Sequence, residues 1–114
     1  MPWAIALYET RHGKCPLRRF LKDQDEKARA AILASIQALR QNGPALGLPH
    51  VRALKGKKWA PLRELRISQG RREYRVLFAA DRGGFVLLHG FQKPATEQVE
   101  FATAKERYND WTDR

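Results

Sequence analysis

The chain has 114 residues, 43% of them hydrophobic, which suits one domain with its own core and excludes a disordered chain. Lys and Arg number 22 against 12 Asp and Glu, and the resulting charge of +10 implies an anionic partner, most often nucleic acid. Cys15 has no second cysteine to pair with, no apolar run approaches the ~20 residues of a membrane span, and the start of the chain lacks a signal-peptide pattern, so a cytoplasmic protein without membrane contact is expected.

Residues 3–8 form a short apolar run that suits an edge strand. Pro16 fits the first position of a helix, where its missing N–H costs nothing, and Leu17, Phe20 and Leu21 then give an apolar stripe. Asp23 followed by Glu26 resembles a capping box ahead of a second helix over 25–41, whose Ala28, Ile32, Ile36 and Leu39 keep a 3.6-residue period until Asn42, Gly43 and Pro44 stop it. The two helices make a hairpin with one apolar face for a sheet to cover. Residues 43–61 show no periodicity, and a connection of that length is often functional. It ends in Lys55, Lys57, Lys58 and Trp59, which suit phosphate contacts with base stacking, or else a solvated loop whose Trp59 tucks into the core.

Three strands are expected next, over 64–68, 73–80 and 85–91, separated by glycine-bearing turns. Leu65 and Ile67, then Tyr74, Val76 and Phe78, share one face, and Glu64, Arg66, Glu73 and Arg75 share the other. A turn at Gln69-Gly70 would set Arg66 opposite Glu73 and Glu64 opposite Arg75. Such a cluster is either a cross-strand ion ladder or a rigidly mounted site. Thr96 is placed to cap a final helix whose Phe101, Ala104, Tyr108 and Trp111 face the core. The order β–α–α–β–β–β–α makes one α+β domain over 1–114.

Residues 52–94 hold eleven basic and three acidic side chains, so the excess charge sits on the strands and the loop feeding them. No metal or cofactor is expected: His12, His50 and His89 lie far apart, and there is no glycine-rich phosphate loop or nucleophile motif. Arg, Lys, His and Glu on a basic sheet can still cleave RNA, because the RNA 2′-hydroxyl is the nucleophile and the protein need only neutralise the phosphorane and move protons. His89 could serve there without a pKa shift, or be a histidine beside the core.

The motifs Gly13-Lys14-Cys15-Pro16, Leu54-Lys55-Gly56, Glu64-Leu65-Arg66, Tyr74-Arg75-Val76-Leu77 and Leu88-His89-Gly90-Phe91-Gln92-Lys93, in that order, resemble the HigB-like, phage-derived branch of the RelE/ParE toxin superfamily. The resemblance implies a RelE-like fold, a small antiparallel β-sheet with an N-terminal helical hairpin and a C-terminal helix. It also implies a type II toxin that cleaves mRNA without a metal, commonly on the ribosome, and is silenced by a cognate antitoxin, often of helix-turn-helix type. Arg66, Arg75, His89 and Lys93 are then the catalytic candidates, and Lys55, Lys57, Lys58, Arg63 and Arg72 the RNA-binding ones. Lys93 is followed directly by Pro94, where relatives usually carry a second lysine, so proton transfer is left among Lys93, His89 and Glu64. The alternatives are a ParE-like gyrase poison without catalysis and a degenerate phage-derived protein that only binds nucleic acid.

Overall fold

The structure, a computed structural model, describes residues 2–114. Ala4–Leu7 is strand β1, followed by helices α1 (Pro16–Lys22) and α2 (Glu26–Asn42). Strands β2 (Val51–Ala53), β3 (Arg63–Gln69), β4 (Arg72–Asp81) and β5 (Gly84–Lys93) come next, then helix α3 (Glu97–Thr112). The five strands form one sheet in the order β1-β5-β4-β3-β2. β1 is an edge strand as expected and pairs parallel with β5, so the sheet is mixed there and antiparallel across β5, β4, β3 and β2. The stretch 43–61 is not wholly irregular: it supplies β2 at the opposite edge.

Helix α1 starts at Pro16, as its fixed φ favours. The cap of α2 is Asp25 rather than Asp23: the Asp25 carboxylate accepts from the Ala28 N–H at 2.8 Å, while Asp23 ends α1 and pairs with Arg19. The apolar stripes of both helices bury Leu17, Ala28, Ile32 and Leu39 against Leu65, Ile67, Tyr74, Val76, Phe78 and Leu87 on one face of the sheet. Each large side chain fully buried there contributes about 1.5–3 kcal/mol of hydrophobic stabilisation. Gly90 permits close contact, since a Cβ at that position would lie 2.4 Å from the Phe20 ring of α1. The other sheet face carries Leu77, Ala79, Val86, Leu88 and Phe91, and α3 lays Phe101 and Ala104 over them. Trp59 joins that second core and Lys58 rides on its ring, so the buried alternative for this tryptophan holds.

The β3–β4 register differs from the expected one. Gly70 has φ +63°, a conformation open to glycine, and it belongs inside a two-residue Gly70-Arg71 turn. Gln69 therefore faces Arg72, Arg66 faces Arg75, Glu64 faces Leu77, and Ser68 faces Glu73. Moving the turn by one residue changes every partner but keeps every side chain on its expected face.

Candidate functional site

Helix α3 covers only part of its sheet face. Beyond it, between β2, β3, β4 and the start of α3, lies an open cleft of about 300 Å³. Arg66 and Arg75 meet here from neighbouring strands. The Arg66 N–H donates outward to the His50 carbonyl at 2.8 Å, so Arg66 and Arg75 form a non-hydrogen-bonded pair, the geometry that brings opposed side chains closest. Two like charges so placed repel one another. Glu64 offsets this: one of its carboxylate oxygens lies 3.7 Å from the Nε of each arginine. Glu73 takes the far side of Arg75, which donates to it at 3.3 Å and to the Tyr74 carbonyl at 2.9 Å.

The two guanidiniums differ in access. The Arg75 side chain is 4% exposed and forms part of the cleft floor, whereas that of Arg66 is 34% exposed. Both Nε atoms are buried and without a hydrogen-bond partner. An unmade hydrogen bond at a buried charged donor is expensive, and an anion entering the cleft could satisfy it. Arginine suits that role because it stays charged and presents fixed, forked donors. Glu73 is held below the usual carboxylate range, chiefly by the Ser68 hydroxyl that donates to it and then by Arg75, while its partial desolvation opposes them.

The rim adds further charge. Lys93 reaches the cleft from β5 and lies 3.5 Å from Glu97 at the start of α3. Lys55 lines it from the loop after β2. Arg52 lines it too, directly across from Glu64, and sequence reasoning missed it. Its only signal was the brief alternation Val51-Arg52-Ala53, too short to mark a strand. Glu97, in the first turn of α3, also faces the cleft.

Other candidates lie elsewhere. Arg63 projects from the sheet face that packs on α2, and Arg72 on that same face is tied to Asp25 at 2.8 Å and to Gln69. Lys57 and Lys58 sit on the short turn that anchors Trp59, outside the residues lining the cleft. His89 shares the sheet face of Arg75 but lies under α3, with Phe91 stacked on its ring. Arg107 donates to His89 Nδ1 at 2.9 Å, and Nε2 lies 2.7 Å from Glu100. A guanidinium can only donate, so Nδ1 is the acceptor and the ring is neutral with its proton on Nε2, directed at Glu100. Burial lowers the His89 pKa, Glu100 opposes that, and the Arg107 charge lowers it further. Among the described residues no three His, Cys, Asp or Glu side chains gather where they could hold a metal ion.

His89 gives a pH prediction. Its folded pKa is depressed, so its contribution to stability is complete above the ordinary value of about 6.5 and is lost as pH falls from there towards the folded value. Thermal melts across that window should show a loss of stability that His89→Gln largely removes; an unchanged pH profile in the variant would refute the assignment.

Comparison with known proteins adds a family. Residues 19–109 match the model described as "Phage derived protein Gp49-like (DUF891)". The chain is also similar to a Mycobacterium tuberculosis protein named "Putative toxin HigB2", 33% identical over a 97-residue alignment that covers 82% of this chain. The alignment spans 42% of that relative's length. No solved structure matches the chain.

Proposed function

The chain belongs to the Gp49-like family of phage-derived proteins, and from that premise we propose that it is the toxin of a type II toxin–antitoxin system and acts as an mRNA endonuclease. The name of the mycobacterial relative supports the toxin role. The observation that carries the nuclease reading is the pair of opposed arginines, each with an unpartnered Nε, lining an open basic cleft.

The chemistry follows from that geometry. A phosphodiester seated in the cleft meets Arg75 at the floor and Arg66 beside it, and these neutralise the charge that builds on the phosphorane. Glu64 takes the proton of the RNA 2′-hydroxyl, and the 2′-oxygen bonds to phosphorus. The bond from phosphorus to the 5′-oxygen breaks, and Lys93 returns a proton to that oxygen. The products are a 2′,3′-cyclic phosphate and a 5′-hydroxyl. Lys55 and Arg52 hold the flanking backbone. His89 is assigned no proton transfer, because both its nitrogens are engaged beneath α3. A cognate antitoxin, here an expected partner, would silence the enzyme.

The test is to incubate the purified protein with ribosomes translating a defined mRNA and to map the new RNA ends. Cyclic phosphate and 5′-hydroxyl ends inside the reading frame are expected, with RNA affinity falling as salt rises at a slope of about −0.7 per phosphate contacted. Intact mRNA would overturn the nuclease reading. Intact mRNA together with inhibited DNA gyrase would replace it with the ParE-like alternative.

A further inference from the structure

A second hollow, of about 410 Å³, adjoins the cleft and shares Arg66 with it. That volume falls within the roughly 300–1,000 Å³ typical of small-molecule sites. It opens where β3 continues past the end of β2. The Arg66 N–H finds the His50 carbonyl, but Ser68, two residues further on, turns its N–H and C=O the same way, beyond Val51 where β2 begins. Pro49 and His50 form one wall, Ser35 of α2 lines another side, and Ser68 and Glu73 supply polar groups.

We propose that this hollow is a nucleobase subsite beside the scissile phosphate and that Glu73 makes it selective for guanine; the proposal rests on the RNA-cleaving reading above. A phosphate held at Arg66 leaves an adjacent nucleotide next to the hollow, because the same side chain borders both spaces. The ring of His50 offers a surface on which an unstacked base can lie. Glu73 is the acidic side chain lining the hollow, and the Ser68 hydroxyl and Arg75 hold it ionised.

An ionised carboxylate only accepts hydrogen bonds. One oxygen of Glu73 takes Arg75 and the other takes Ser68, and each keeps a further lone pair. Guanine carries N1–H and an N2 amino group side by side and can donate to both oxygens. Adenine and cytosine pair one amino group with an acceptor nitrogen, and uracil sets its N3–H between two carbonyl oxygens, so each turns an acceptor towards the carboxylate. Glu73 therefore has two roles: it flanks Arg75 at the cleft, and it reads the base beside it.

The experiment uses fluorescent single-stranded RNAs of uridines with one central variable base, made uncleavable by 2′-deoxy substitution. Binding to the purified full-length protein is measured with guanine, inosine, adenine, cytosine or uracil at that position. Guanine should bind about tenfold more tightly than inosine, which lacks the N2 amino group, as expected for one bidentate base contact. In Glu73→Gln the ratio of guanine to inosine affinity should fall close to one. Equal affinity for guanine and inosine in the unmodified protein, or a preference that survives in Glu73→Gln, would overturn the subsite. Strong, salt-sensitive binding without base preference would do so while leaving the nuclease reading intact. No binding to any of the RNAs would overturn both.

Discussion

Arg75→Ala is expected to lower RNA cleavage by at least about 10²-fold, the cost of removing one preorganised group from a developing anion. The effect should be large because this guanidinium is fixed before substrate arrives. Its strand is internal to the sheet, its side chain is 4% exposed, and the Tyr74 carbonyl and Glu73 hold one end of it. The same burial means that the substitution also affects folding. Glu64 loses one of its two cations and Glu73 loses a donor, and breaking a buried pair typically costs about 3–5 kcal/mol. Cleavage assays must therefore be paired with melting curves. Arg75→Lys separates the two effects: it keeps a positive charge beside Glu64 but loses the fork that grips two phosphate oxygens. The lysine variant should be the more stable of the two and still slow. A folded Arg75→Ala protein that cleaves like the wild type would end the assignment of this residue.

The second large effect is expected at Glu64. Glu64→Gln removes the carboxylate between two guanidiniums that face each other across β3 and β4. Arg75 is buried and Arg66 is about one-third exposed, so water screens part of the repulsion and the lower end of the range applies, a loss of about 3 kcal/mol. An added anion should restore much of this by entering the cleft. A ligand present at 100 times its Kd stabilises by about 2.7 kcal/mol. Sulfate should thus raise the melting temperature of Glu64→Gln more than that of the unmodified protein. An equal response in both would mean that the cleft does not bind tetrahedral anions at these arginines. Cleavage by the variant should also fall, since the proposed proton acceptor is gone.

Much of the site could be read along the chain because β-strand alternation is local. Glu64 and Arg66 on one strand and Glu73 and Arg75 on the next stand on one face in the structure, as the pattern required. The same parity already separated Arg63 from Arg66 and Arg72 from Arg75, and sequence reasoning did not use it. Arg63 falls in line with Leu65 and Ile67, and Arg72 with Tyr74 and Val76, on the face that packs against the helical hairpin. The shift from Asp23 to Asp25 as the cap of α2 is a smaller instance of competing local signals: both aspartates lie close to the helix start, and the Ala28 N–H decides between them.

By itself, the sequence determined the two faces of the central hairpin, the helices and their apolar stripes, the basic excess over 52–94 and the likeness to HigB-like proteins. All of these depend on residue identity or on neighbours a few positions away. Only the tertiary structure decided which charges meet. It set Arg66 against Arg75 through a glycine turn, brought Arg52 beside Glu64 on a three-residue strand, and closed α3 over His89 while leaving open the cleft that Arg66 and Arg75 line. Register, edge pairing and the lie of a helix depend on contacts between residues far apart in the chain, and no local period encodes them.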